Sequence, residues 1–374
     1  MRAIIKHILS SIFFWQKNKN IVFVFLDQRE LPNYPDYIQR SEFYLKKSYK
    51  AILYKNKLEL YIALLKYGPH RVIFSSKGLN KQILKLHFLN VDYINNPHDG
   101  WDWHHALKRI RPVLQEELDD SKRRFLTHFS TIPKYASSLI LGTGPSLVKA
   151  RKLVDIDSYK IACNTIVKDL DLWVRLKPHF LVAGDAIYHF GHNQYATSFR
   201  RDLKKCMQAY GVPFLYPDLY HPFLKEEFKE IAHLLIPIPT GDIPKINNNL
   251  FDNFQLPALG NVLNLLLLPL ATTLSKKIYL LGFDGRAPED KLFWSNSNDH
   301  SYGEHISDIQ KKHPMFFDYY IDKKDPLKYV ATFHGDVLED NLTLLEHMGY
   351  EFITLSPSYT PTIQKRYKSV FDLE

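Results

Sequence analysis

Gly142-Thr143-Gly144-Pro145-Ser146 stands directly behind the apolar run Ser138 to Leu141, and no other segment of the chain is as well suited to holding a phosphate. Glycines let backbone approach a ligand closely. Pro145 and Ser146 suit a first helical turn, whose amide N–H groups and dipole attract anions. The same residues also make an ordinary tight strand-to-helix turn with no ligand. The third glycine of a dinucleotide fingerprint is missing, as is the Gly-Lys-Ser/Thr ending of a P-loop, which argues against NAD-dependent enzymes and P-loop ATPases. Further strand ends carry polar residues: Asn164 behind Ile161-Ala-Cys, Asp185 behind Leu181-Val-Ala-Gly, and Asp284-Gly-Arg286 behind Ile278-Tyr-Leu-Leu-Gly-Phe. In open α/β sheets such ends line the ligand crevice, so Asn164 and Asp185 are candidates for a ribose or base and Arg286 for a phosphate. Asn and Asp are also common turn formers after strands, and an arginine there equally serves in a surface ion pair.

Positioning these residues requires parallel strands. Apolar runs at Leu139–Gly142, Lys160–Cys163, His179–Ala183, Pro213–Tyr216, Lys277–Leu281 and Glu351–Leu355 read as strands, with helical patterns between most of them. The leucine-dense stretch Asn261–Leu274, broken by Pro269, reads as a buried helix too short to span a bilayer. Nearer the N-terminus, Ile21–Asp27, Ala51–Tyr54, Arg71–Ser75 and Val91–Asn95 alternate with helical spacing such as Lys57–Tyr67. Arg109–Arg124 reads as an exposed helix, and Ser130–Ser137, with Pro133, as a linker. The fold expected is α/β: a Rossmann-like, doubly wound parallel sheet over residues 131–374, preceded by a smaller α/β domain over residues 1–130.

At 374 residues the chain exceeds the length at which one core stops growing, in keeping with two domains. The formal charge of +9 favours an anionic partner: a nucleotide-activated substrate, an acidic glycolipid or an anionic membrane face. No zinc-finger spacing or aromatic-basic RNA signature accompanies the charge, so no specific nucleic-acid partner is expected. Cys163 and Cys206 are too few for a disulfide framework, and no Cys/His cluster has metal-ligand spacing; a reducing, cytoplasmic setting without a metal fits. Residues 1–15 are basic at the start, with Ile4, Ile5, Ile8, Leu9 and Ile12 at helical spacing. They read either as an in-plane helix on the inner membrane or as a helix packed on the first domain.

Taken together, Leu-Gly-Thr-Gly-Pro-Ser-Leu (141–147), Cys-Asn-Thr (163–165), Gly260-Asn261 before a hydrophobic helix, Lys-Ile-Tyr-Leu-Leu-Gly-Phe-Asp (277–284), and His334 before Leu-Leu-Glu (344–346) form a pattern. It resembles bacterial sialyltransferases of the Campylobacter lipooligosaccharide type, and is similar to the wider superfamily of flagellin nonulosonic-acid transferases and archaeal hydroxymethylpterin pyrophosphokinases. The resemblance covers about Ser137 to Pro357. It implies inverting, metal-independent transfer of a sugar from a CMP-linked donor to a glycan or glycolipid acceptor, with no cofactor. Nucleotide binding falls on Gly142, Thr143, Gly144, Pro145, Ser146, Asn164, Asp185, Gly260, Asn261 and Asp284. The catalytic histidine matches His334, a base whose ordinary pKa lies near working pH, with Arg286 beside the departing phosphate.

This chain departs from the family pattern at several places. Thr143 stands where the loop usually has Asn, Asp185 where a nucleotide-binding Asn is usual, and Ala331 where a tyrosine precedes the histidine. The usual tyrosine pair after Asp284 has no clear counterpart; Arg286, Trp294 and Tyr302 are the candidates. Two other readings stand beside the glycosyltransferase. One is a pyrophosphokinase moving diphosphate from ATP to a pterin-like alcohol, with Mg²⁺ held by carboxylates such as Asp185 or Asp284. The other is a non-catalytic nucleotide-sugar-binding protein.

Overall fold

The computed structural model describes residues 21–29, 34–69, 71–75, 90–94, 96, 98–287, 299–314 and 336–369. Two compact units divide at Pro112/Val113. In the first, β1 (Val22–Asp27), α1 (Tyr34–Leu45), β2 (Tyr49–Tyr54), α2 (Lys57–Tyr67), β3 (Arg71–Phe74), β4 (Asn90–Tyr93) and α3 (Gly100–Ile110) follow in order. The strands form a parallel sheet in the order β2-β1-β3-β4. β1 is buried along its whole length, which is why it reads as unbroken apolar sequence. Phe25, Ile52, Val72 and Phe74 pack with Leu60 and Leu64 of α2. Elsewhere in this unit Trp103 of α3 packs against Tyr37 and Tyr44 of α1, at ring separations of 5.4 and 5.1 Å. Asn56 caps α2 by accepting the Glu59 N–H, and Gly68 closes it in the left-handed conformation that favours glycine.

The second unit opens with α4 (Gln115–Thr131) and continues through β5 (Ser137–Leu141), a 3₁₀ turn (Pro145–Lys152), β6 (Tyr159–Cys163), α5 (Leu170–Leu176), β7 (Phe180–Val182), α6 (Gln194–Tyr210), β8 (Phe214–Pro217), α7 (His221–Glu227) and β9 (Leu235–Ile238). A π-turn (Leu263–Leu267) then leads into α8 (Leu268–Leu274) and β10 (Lys277–Leu281). α9 (Ile306–Lys312), α10 (Asp336–His347), β11 (Glu351–Thr354) and α11 (Pro361–Gln364) complete it. Seven parallel strands run in the order β11-β10-β5-β6-β7-β8-β9. The unit is therefore a Rossmann-like α/β sheet, and its order reverses between β5 and β10. Ile140, Ile161, Val182 and Leu215 of the sheet join Leu266 to Leu268, Leu342 and Leu345 of the covering helices in one core.

Several expectations change. The boundary falls at Pro112 rather than after Ser130, because α4 belongs to the second core: Phe125 is fully buried there and the Ser121 hydroxyl donates to the Pro237 carbonyl at 2.7 Å. Arg109–Arg124 is not one exposed helix; the chain leaves helical geometry at Arg111 and re-enters it at Gln115, with Pro112 in the break. β9 was not anticipated, since Pro237 interrupts its apolar run; as the edge strand it tolerates a residue with no N–H. Pro269 does not break the leucine-rich helix. The turn before it widens instead, the Leu268 N–H reaching back five residues to the Leu263 carbonyl. Among the described residues no helix is long and apolar enough to cross a membrane.

Candidate functional site

Ligands in open parallel sheets bind outside the carboxyl ends of the strands where the order reverses. Here that place lies between β5 and β10, whose last residues Leu141 and Leu281 are register partners. The chain leaving each strand is a glycine turn, and the two turns touch. Gly142 donates its N–H to the Leu281 carbonyl at 2.8 Å, and Gly144 donates to the Gly282 carbonyl at 2.9 Å. A Cβ on Gly142 would overlap the Gly282 carbonyl, one on Gly282 would overlap the Gly142 carbonyl, and one on Gly144 would overlap the Asp284 carboxylate. Gly282 also has φ +82, a region that disfavours side chains. These glycines are accordingly required by backbone packing, whatever else the loop does.

The first-turn amide that the sequence offers to a phosphate is already engaged. Ser146 donates its N–H to both carboxylate oxygens of Asp284 at 3.2 Å and its hydroxyl to one of them at 2.9 Å. The Ser146 hydroxyl also lies 2.8 Å from that of Ser356, behind β11, and accepts the Gly282 N–H at 3.2 Å. The chain's own carboxylate thus sits on the N-terminus of the turn, where an anion would sit. Burial pushes the Asp284 carboxyl above the ordinary carboxylate range, against the opposing pull of its bonds from Ser146 and the charge of Lys149. Thr143, half-buried between the glycines, has no N–H partner among the described residues. Pro145 is exposed and has no N–H to offer.

One strand further along, Asn164 follows β6 in the left-handed conformation, φ +51. Its Oδ1 is buried and accepts no hydrogen bond among the described residues. A buried polar atom without a partner costs about 1–3 kcal/mol, so it is a feature in need of a ligand or water. The turn that carries it is anchored at its end: Asp169 accepts from the Leu172 N–H, from Arg151 at 2.7 Å and from buried His300 at 3.1 Å. Burial raises the Asp169 carboxyl, but those three bonds together hold it below its usual range. Cys163, beside Asn164, is buried and its thiol is pushed up to about 12, so it packs as core and stays protonated.

The remaining candidates fall elsewhere. Asp185 is committed to its own turn, accepting the Ile187 and Tyr188 N–H groups at 2.7 Å each. Asn261, φ +55, accepts the Asn264 N–H at 2.9 Å and so starts the hydrophobic helix, while Gly260 before it is exposed. Arg286 is half-buried two residues beyond Asp284. Tyr302 donates its hydroxyl to Asp202 of α6 at 2.9 Å and packs on Tyr195. His334, Trp294 and Ala331 lie outside the described residues. Sequence reading missed Ser356, whose only signal is its place behind a strand, and the fully buried Asn264. The latter accepts from Asn341 at 3.1 Å while its own Nδ2 finds no partner among the described residues. A lone Asn inside a leucine run was the available clue.

No family model, curated protein or solved structure matches the chain. Among the described residues no three His, Cys, Asp or Glu side chains converge as metal ligands. A cavity of about 470 Å³ does open elsewhere, by the amino ends of β8 and β9, with Arg124, His128, Pro213 and His233 on its walls. It is a weaker candidate than the switch point: Arg124 is spent on Asp120 and the Ala232 carbonyl, and His128 on the His179 carbonyl. It also lies at the end of the sheet opposite the one where such folds bind ligands.

Proposed function

We propose that the second unit is a glycosyltransferase that takes a sugar from a CMP-linked donor and passes it to a glycan or glycolipid acceptor. The observation that carries this reading is the reversal of strand order between β5 and β10, flanked by Asn164, whose buried oxygen has no partner among the described residues. In this reading the Thr143 N–H faces the donor phosphate, and Asn164 Oδ1 accepts from the base amino group or a ribose hydroxyl. Asp284 bears on the choice of donor. A carboxylate at the mouth of the glycine turn repels each phosphate charge, which favours the single charge of a monophosphate-linked sugar over the two or more of a diphosphate or triphosphate. In this reading Asp284 also accepts a ribose hydroxyl.

In this reaction the acceptor hydroxyl attacks the anomeric carbon, the bond from that carbon to the phosphate oxygen breaks, and CMP leaves. His334 takes the hydroxyl proton, a role that rests on the family resemblance.

Release of CMP from a CMP-sugar with EDTA present tests the proposal. Slow hydrolysis by the intact protein is expected, with His334→Ala reducing it about 100-fold while CMP still binds. Mg²⁺-dependent release of AMP from ATP would replace it with the pyrophosphokinase reading, and CMP binding without any turnover with the acceptors tried would leave a binding protein.

A further inference from the structure

α2 is apolar on two faces. Leu60, Ala63 and Leu64 are buried against the sheet of the first unit, as a crossover helix requires. On the opposite side Leu58 is 69% exposed, Tyr61 45%, Ile62 54% and Leu65 51%. Their spacing is i, i+3, i+4, i+7, and at about 100° per residue the four fall within an arc of about 100° centred opposite the core face. The same geometry puts exposed Lys57 on one edge of this stripe and exposed Lys66 on the other, with Lys55 just before the helix. The acid on that surface, Glu59, is turned back to cap the helix, accepting from the Lys55 N–H at 2.8 Å and from Asn56 Nδ2 at 3.1 Å.

Charge points the same way. Residues 1–112 hold 19 Lys and Arg against 8 Asp and Glu, a formal +11, whereas residues 113–374 hold 30 against 32, a formal −2. The positive charge of the whole chain therefore belongs to the unit that carries the exposed apolar stripe. Contiguous apolar surface on a soluble protein marks an interaction site, and a stripe bordered by lysines fits the boundary between hydrocarbon and anionic headgroups. Leucine and isoleucine enter the acyl region while the lysine stems reach back to the phosphates. A nucleic acid would satisfy the lysines but offers no hydrocarbon to the stripe. A second copy would satisfy the stripe but sets one +11 unit against another.

We propose that the outer face of α2, formed by Leu58, Tyr61, Ile62 and Leu65 between Lys57 and Lys66, docks the first unit in the plane of an anionic lipid surface.

Co-sedimentation of the full-length protein with phosphatidylcholine vesicles, with and without phosphatidylserine, tests this. The intact protein is expected to sediment at least tenfold more strongly with the anionic vesicles. Ile62→Glu combined with Leu65→Glu should lower that binding at least tenfold, and Lys57→Glu combined with Lys66→Glu should remove the preference for phosphatidylserine. All four side chains are exposed, so the thermal midpoint should not move, and this separates lost docking from lost folding. Because residues 1–20 remain in every variant, undiminished binding by the Ile62/Leu65 variant would overturn the proposal. So would no binding of the intact protein to anionic vesicles, a dimer that this variant dissociates, or retention on RNA in preference to the vesicles.

Discussion

The two sheets obey the same topological rule and use it differently. Each reverses its strand order once, between β1 and β3 in the first unit and between β5 and β10 in the second, and each sets a carboxylate there. Asp27 is fully buried, its N–H donating to Ser75 behind β3, its carboxylate gripped by Arg29 through Nε at 3.1 Å and Nη2 at 2.8 Å. Asp284 is only partly buried and is held by the hydroxyl and N–H of Ser146. A guanidinium grips the first carboxylate, whereas the second is held by the neutral donors of Ser146, whose bonds do not fully offset the burial that raises its pKa. Which partner a strand-end carboxylate has matters more than the fact that one is there.

The most severe way to break this comparison is Gly282→Ala. The left-handed backbone and the overlap with the Gly142 carbonyl should cost about 2–4 kcal/mol, read as a lowered urea midpoint; a loss below about 1 kcal/mol would mean the turns are not locked together. Next is Asp27→Asn, which removes the charge that holds Arg29. With Arg29 59% exposed, water screens the pair, so about 1 kcal/mol of stability is expected to go, with CMP affinity unaltered. An altered affinity would tie the first unit's switch point to the nucleotide.

Asp284→Asn should have the smallest effect, and its sign depends on pH. A carboxyl whose folded pKa lies above its unfolded value supports folding at low pH and loses that support as pH rises through the folded value. The variant should therefore gain on the native protein as pH climbs from about 4 toward neutral, by less than about 1 kcal/mol. Denaturant midpoints across that range check this; a variant that instead loses ground as pH rises would show that the carboxylate is stabilised in its charged form. Removing the charge should also tighten binding of UDP relative to CMP.

Much of the sheet was readable in advance because strands buried on both faces are nearly continuous apolar runs, as in Leu139–Leu141 and Lys277–Leu281. β9 escaped because Pro237 looks like a breaker until its edge position is known. The domain boundary was misplaced because charges dominate α4, and the burial of Phe125 comes from partners such as Phe180 and Phe251, far away in sequence. The strand ends were legible, but the contacts made there were not. Gly142, Gly144 and Asn164 stand at the ends of adjacent strands as their spacing suggests, but the residue sitting on the Ser146 amide lies 138 positions further along the chain. No local pattern reveals such a partner. Asp185 and Asn261 make the same point, since each accepts a turn N–H that no sequence pattern separates from a ligand-binding role.

Titration calorimetry of CMP against the native protein and Asn164→Gly tests the central claim most directly. Glycine accepts the left-handed backbone at position 164 and removes the side chain together with its buried oxygen, which has no partner among the described residues, so stability should stay within about 1 kcal/mol. The account predicts that CMP binds the native protein and binds the variant at least tenfold more weakly. Equal affinity in the two, or no CMP binding to the native protein, would contradict it.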